Sequence, residues 1–194
     1  METTGAERFL FLCFIGLAAL LRGAEMWRKQ GTERGATTMR WSLAALVGAA
    51  GMIYVGTVVE FLLAARVYRW GWGVAGMVLY GLSVGLRLAA IRALGRYWSL
   101  HIEIRQQQPL INTGPYRWVR HPAYAAFLLE MVGVPLAGNA WWALAGTLGV
   151  YLPLLAWRIR REEAALVAKF GEAYRVFQRE TGQLVPRWGG RGRA

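Results

Sequence analysis

The stretch that decides the fold is Trp41-Ser-Leu-Ala-Ala-Leu-Val-Gly-Ala-Ala-Gly-Met-Ile-Tyr-Val-Gly-Thr-Val-Val-Glu-Phe-Leu-Leu-Ala-Ala65, 25 residues with Glu60 as the one charge. At about 1.5 Å per residue a helix of this length reaches roughly 37 Å, enough to cross a hydrocarbon layer of about 30 Å with tilt. On its N-terminal side, Phe9–Leu21 is a second apolar run, bounded by Arg8 and Arg22 and extendable to Trp27 if Arg22 snorkels to the headgroups. A cleaved leader competes for this run. The preceding Glu2, Glu7 and single Arg8, with no small-x-small cleavage site afterwards, favour a retained span. On the C-terminal side come Trp72–Leu94, interrupted by Arg87 and Arg92, and then His121–Ala137 and Trp141–Trp157, joined by the short turn Gly138-Asn139-Ala140. The last two read as a helical hairpin. Within the third span, Gly81-Leu-Ser-Val-Gly85 offers a small-xxx-small face for close approach of another helix. The expectation is an all-α integral-membrane protein with five transmembrane helices: three in residues 1–94, then a loop, the hairpin and a C-terminal helix in residues 95–194, all one domain.

Composition supports this reading. Of 194 residues, 56% are hydrophobic and 18% charged, with 23 Lys+Arg against 11 Asp+Glu. Five spans would place 19 of the basic residues on the face holding 22–40, 92–120 and 158–194, against three, Arg8, Arg66 and Arg69, on the other. The positive-inside bias then puts the N-terminus outside and the C-terminus in the cytoplasm. It also accounts for the +12 charge without nucleic acid, for which no motif is present. One cysteine, Cys13, excludes an intrachain disulfide framework and a Cys-based metal centre, and no metal is expected. Arginine outnumbers lysine 21 to 2, which suggests a GC-rich genome and a bacterial inner membrane.

Three features carry possible chemistry. Gly71-Trp-Gly73-Val-Ala-Gly76 matches a dinucleotide fingerprint, but it opens a membrane span rather than a strand-to-helix turn. Gln108-Pro-Leu-Ile-Asn-Thr-Gly-Pro-Tyr-Arg-Trp-Val-Arg-His-Pro-Ala-Tyr124 leads into the hairpin, with Pro122 suited to a first helical turn whose N–H groups face the interface. By composition alone it reads equally as an interfacial anchor of aromatics and arginines. Arg158 and Glu162 are i, i+4 and share a helix face, whereas Glu163 is expected to point elsewhere. A plain juxtamembrane ion pair fits them too. Leu166, Phe170, Tyr174 and Phe177 then recur at helical spacing, predicting an amphipathic helix on the cytoplasmic leaflet. Glu60, Arg87 and Glu130 are costly inside spans and should pair or line a polar cavity.

Taken in order, Leu94-Gly-Arg-Tyr-Trp98-Ser99, Gly114-Pro-Tyr-Arg-Trp-Val-Arg-His121-Pro-Ala-Tyr124, Arg158-x-x-x-Glu162-Glu163 and Phe170-Gly-Glu-Ala-Tyr174 resemble the isoprenylcysteine carboxyl methyltransferase family. The resemblance runs from about Arg87 to Trp188 and includes Thr181-Gly-Gln-Leu-Val-Pro186. It implies a membrane enzyme that takes a methyl group from S-adenosylmethionine and leaves S-adenosylhomocysteine. By the same resemblance, Gln108, Pro109, Leu110, Ile111, Tyr116, His121, Pro122, Ala123, Tyr124 and Glu162 would hold the cofactor. Arg158 would orient the carboxylate of a lipophilic small-molecule or lipid-linked acceptor amid membrane lipids. The chain departs from the family at Ala125-Ala126 and in its tail, Gly189-Gly-Arg-Gly-Arg-Ala.

The residue chemistry is compatible. A carboxylate such as Glu162 suits the cofactor's α-ammonium and sulfonium, while His121 and helix-start N–H groups suit its carboxylate. In-line methyl transfer depends mostly on alignment. An anionic acceptor carboxylate needs no base, whereas an amine or thiol would, and His121 is the nearby side chain suited to that. Alternatives are therefore a phospholipid N-methyltransferase, a small-thiol S-methyltransferase, and a non-enzymatic membrane scaffold or transporter subunit. A nicotinamide-dependent reductase lacks a supporting motif.

Overall fold

Long runs of Leu, Ala, Val and Met with few interior charges leave the backbone to satisfy its own hydrogen bonds, and the described residues fold almost wholly as helix. The computed structural model describes residues 5–27, 36–38, 40–63, 67–98, 102–104 and 109–187. In order these form α1 (Gly5–Trp27), β1 (Ala36–Thr38), α2 (Arg40–Leu63), α3 (Trp70–Leu94), β2 (Ile102–Ile104), α4 (Pro122–Ala137), α5 (Trp141–Gly146), a π turn (Thr147–Tyr151), α6 (Leu152–Phe170) and α7 (Glu172–Glu180). Strands β1 and β2 make a short antiparallel ribbon, Thr37 opposite Glu103, an element absent from the sequence reading. Among the described residues three helices are long and apolar enough to cross a membrane, Trp41–Leu63, Trp70–Tyr97 and Trp141–Phe170, and Pro122–Ala137 is a shorter apolar helix.

The most extensive helix contact joins α3 to α4. Its seam differs from the expected one. Open space surrounds Gly81 and Gly85, whereas a Cβ on Gly76 would collide with the backbone of Ala137 and Gly133, and one on Gly133 would lie 2.8 Å from Gly76 O. Close approach therefore runs through Gly76 and Gly133, because the face carrying Gly81 and Gly85 turns away from α4.

The hairpin is present, and its turn is specified locally. Asn139 adopts φ 52°, its side-chain oxygen accepts from Arg69 N at 3.0 Å, and Ala140 N donates to Pro135 O at 2.8 Å. Pro135 lies inside α4 and lacks the N–H that would bond Met131 O; Thr147 Oγ1 donates to that carbonyl instead, at 2.8 Å. Pro153 similarly frees the carbonyl four residues before it, and the preceding turn widens into the π segment. Glu60, expected to pair inside a span, accepts from Trp142 N (3.0 Å) and Ala143 N (3.1 Å), capping α5 from α2.

The C-terminal part corrects the expectation of one amphipathic helix on the leaflet. Gly171, at φ 59°, separates α6 from α7 and turns the chain, so that Tyr174 and Phe177 are buried in the protein rather than exposed to lipid. After α7 the chain pairs with the loop before α4: Val119 bridges Gly182, Arg120 N donates to Gly182 O (2.8 Å) and His121 N to Gln183 O (3.1 Å).

Candidate active site

The first turn of α4, the polar end of α6 and the inner face of α7 meet around a cavity of about 660 Å³ that extends toward α1 and α2. Of the residues singled out from sequence, Pro109, Leu110, Ile111, Tyr116, His121, Ala123, Tyr124, Arg158 and Glu162 all line it. Pro122 does not; it is buried at the first position of α4. Gln108 lies outside the described residues.

One chain of hydrogen bonds crosses from α2 through α6 and α4. Arg158 Nη1 donates to Ser42 Oγ (2.7 Å), Arg158 Nε to Tyr124 Oη (2.9 Å), and Tyr124 Oη to Glu162 Oε2 (2.5 Å). Arg158 is only 1% exposed, and its charge is held one helical turn from Glu162, as the i, i+4 spacing requires. Tyr124 thus fixes both the cation and the carboxylate.

Glu163 does not point elsewhere. Its Oε1 accepts from Arg120 Nε at 2.8 Å and lies 3.1 Å from His121 Nε2, while Oε2 accepts from Gln178 Nε2 at 3.2 Å. The i, i+4 criterion missed it because its partners come from the loop before α4, not from its own helix. Glu163 lies past Trp157, where the apolar run of the span read from the sequence ends, beside the polar loop that precedes α4. Burial works against the charged carboxylate, but hydrogen bonds from His121 and Arg120 outweigh that and pull its pKa down to about 2. Arg120 Nη1 also bonds Gln178 O (3.0 Å) and Thr181 O, so one guanidinium joins the loop, α6 and the end of α7. The other ring nitrogen of His121, Nδ1, lies 4.0 Å from Glu162 Oε1, so the imidazole sits between the two carboxylates.

Arg120, Leu166, Lys169, Phe170, Tyr174 and Phe177 also line the cavity. The sequence carried the signal for Leu166, Phe170, Tyr174 and Phe177 in their helical spacing, but the turn at Gly171 that brings α7 inward is a tertiary feature. Tyr116, in the short turn Gly114–Arg117, is buried, and burial with the nearby Glu162 charge pushes its phenol pKa up. Deeper in, Arg22, Tyr54 and Glu130 face the cavity, and Glu130 accepts from Tyr54 Oη (2.8 Å) and pairs with Arg22 (3.3 Å) and Arg87. The expected pairing of Arg87 and Glu130 is present, with Glu25 added at 2.8 Å from Arg87 Nε.

The sequence pattern of the Isoprenylcysteine carboxyl methyltransferase (ICMT) family matches residues 74–168, which carry the α3–α4 seam, His121, Tyr124, Arg158 and Glu162. The solved structure of the eukaryotic intramembrane Ras methyltransferase ICMT superposes with a TM-score of 0.61 and 25% identity, covering 72% of this chain and 51% of that one. The chain belongs to this family. The uncharacterized protein YpbQ of Bacillus subtilis is 32% identical over 117 residues, 59% of this chain and 68% of its own length. A methanethiol S-methyltransferase of a Pseudomonas species is 28% identical over 60% of this chain and 43% of its own. The chain therefore spans about half the length of the solved structure and of several curated relatives. Family and structural match together support an integral-membrane methyltransferase.

The cavity fits the donor expected of such an enzyme. Its volume lies within the roughly 300–1,000 Å³ of small-molecule sites. Glu162 offers an acceptor for an ammonium, and Tyr174 Oη is a buried hydroxyl with no hydrogen-bond partner among the described residues. No cluster of His, Cys, Asp or Glu suited to a metal occurs among them either.

Proposed function

We propose that this protein is an S-adenosylmethionine-dependent methyltransferase of isoprenylcysteine carboxyl O-methyltransferase type, acting on a lipophilic acceptor at the cytoplasmic face of a bacterial inner membrane. The observation that carries the reading is the Arg158–Tyr124–Glu162 chain at the wall of one cavity, since it sets an acceptor-orienting cation beside a donor-binding carboxylate. The cofactor, when bound, supplies an electrophilic methyl on sulfur. Glu162 holds its ammonium, and His121 contributes to holding its carboxylate. Pro109, Leu110, Ile111, Tyr116, Ala123 and Tyr124 enclose the remainder, and Gln108 and Pro122 are assigned to the same cofactor by the family resemblance. Arg158 orients the acceptor carboxylate, which is already anionic and needs no base. Rate comes from alignment of the acceptor with the methyl group. Five spans with the N-terminus outside and the C-terminus cytoplasmic place the polar ends of α4 and α6 where a water-soluble cofactor enters, while the acceptor enters from the bilayer between helices.

A second reading is kept by one observation. Nε and Nη1 of Arg158 are both engaged inside the protein, by Tyr124 and Ser42, which suits a neutral acceptor such as a small thiol deprotonated by His121. Calorimetry of S-adenosylhomocysteine on the purified protein tests the class: binding that is lost in Glu162→Ala and Tyr124→Ala supports it, and a folded wild type that does not bind refutes it. Arg158→Ala then separates the acceptors, abolishing carboxyl methylation but sparing methylation of a thiol.

A further inference from the structure

We propose that Tyr174 on α7 is a cofactor-binding residue whose hydroxyl donates to the α-carboxylate of S-adenosylmethionine. This rests on the methyltransferase reading above and adds a contact from an element that reading does not use.

Tyr174 is 2% exposed, yet its Oη has no hydrogen-bond partner among the described residues, a costly arrangement unless something else supplies one. The ring lines the same cavity as Arg120, His121 and Glu162. It arrives there because Gly171, at φ 59°, breaks the helix and swings α7 across the site. Burial and the nearby charges of Glu163 and Glu162 keep the phenol protonated against the pull of the neighbouring Arg120 guanidinium, so the hydroxyl has a proton to donate and no acceptor for it among the described residues.

The neighbours identify that acceptor. Glu162 Oε2 receives Tyr124, and Glu163 receives Arg120, His121 and Gln178. His121 Nε2 lies 3.1 Å from Glu163 Oε1 and Nδ1 4.0 Å from Glu162 Oε1, so the ring is spoken for on both sides. The Glu162 carboxylate is thus an acceptor pole that suits an ammonium and repels a carboxylate. The opposite pole needs donors and positive charge. Tyr174 supplies the first and the Arg120 guanidinium, fixed to Gln178 O and Thr181 O at the end of α7, the second. Both groups of an α-amino acid hang from one carbon, so the two poles must adjoin, and Tyr174, Arg120 and Glu162 line the same cavity.

The test uses the full chain in detergent and two ligands, S-adenosylhomocysteine and 5′-methylthioadenosine, which keeps the nucleoside but lacks the amino-acid arm. By calorimetry, Tyr174→Phe should weaken S-adenosylhomocysteine by about tenfold or more and leave 5′-methylthioadenosine unchanged, the latter also certifying the fold. Unchanged affinity for both ligands would overturn the proposal, as would a parallel loss on both, which would mean a contact with the nucleoside or a packing role. A wild type that binds 5′-methylthioadenosine and not S-adenosylhomocysteine also overturns it. If the wild type binds neither ligand, the methyltransferase reading of the cavity fails and the assignment of Tyr174 falls with it.

Discussion

Glu130→Gln keeps the shape of a side chain that is 0% exposed and removes its charge from a neutral quartet of two arginines and two glutamates. Glu130 pairs with Arg87, itself 1% exposed, and with Arg22 at 3.3 Å. Removing one partner of a buried ion pair costs about 3–5 kcal/mol, because the other charge stays desolvated. Two features put this site at the low end. Arg87 retains Glu25 at 2.8 Å, and Arg22, with a side chain 31% exposed, can turn outward. A loss of about 3 kcal/mol corresponds to a fall of roughly 6–12 °C in apparent melting temperature for a chain of this size. Tryptophan fluorescence of the detergent-solubilised protein reads it. Arg87→Met combined with Glu130→Leu removes both charges, leaves Arg22 with Glu25, and should recover more than half of the loss. A Glu130→Gln protein melting within about 2 °C of wild type would refute the reasoning, because it would show the pair to be solvated or replaceable.

Gly76→Leu should prevent stable folding by wedging α3 from α4, while Gly81→Leu, with open space around it, should shift stability by no more than about 0.5 kcal/mol; expression and melting of the two variants check the assignment of the seam. Thr147→Val should cost about 1–2 kcal/mol by stripping the donor from Met131 O, readable as a melting shift of a few degrees. Glu163, whose carboxyl is lowered to about 2 in the fold, contributes stability that is complete above the ordinary carboxylate value near 4.5 and lost as pH falls through about 2. Melting of the wild type should therefore decline on acidification below about pH 4.5, and Glu163→Gln should be less stable at pH 7 with a flatter decline.

The apolar runs made the helices legible because a membrane leaves the backbone no alternative, and the hairpin turn was legible because Gly138-Asn139-Ala140 is too short for anything else. Glycine spacing was a poorer guide. Gly81 and Gly85 satisfy the small-xxx-small pattern and Gly76, with Trp72 and Tyr80 four residues to either side, does not, yet Gly76 is the one that meets α4, because the rotation of α3 about its axis decides which face does. That rotation is set by Tyr80, whose Oη reaches Ala18 O at 3.3 Å, and by the buried Arg87, both long-range choices. Glu60 was visible as a charge in a span. Its use, capping α5 from 82 residues away, was not, because nothing local marks an N-terminus that borrows its acceptor from another helix.

The candidate site divides along the same line. Residues placed by one helix, such as Arg158 and Glu162, followed from spacing. Glu163 looked idle by that rule, since adjacent helical positions face about 100° apart, and it became a partner only because the segment after α7 pairs with the loop before α4 and holds Arg120 and His121 against it. Tyr174 shows the stronger form of the argument. Its spacing from Phe170 and Phe177 promised a lipid-facing stripe, and that inference holds only while the helix is continuous. Gly171 at φ 59° ends the helix and turns the stripe inward, so an apolar face that would have lain on the membrane becomes part of the cavity wall, with one buried phenol hydroxyl that has no hydrogen-bond partner among the described residues. A single glycine in an otherwise amphipathic run can therefore change the reading of every residue after it from surface anchor to binding site.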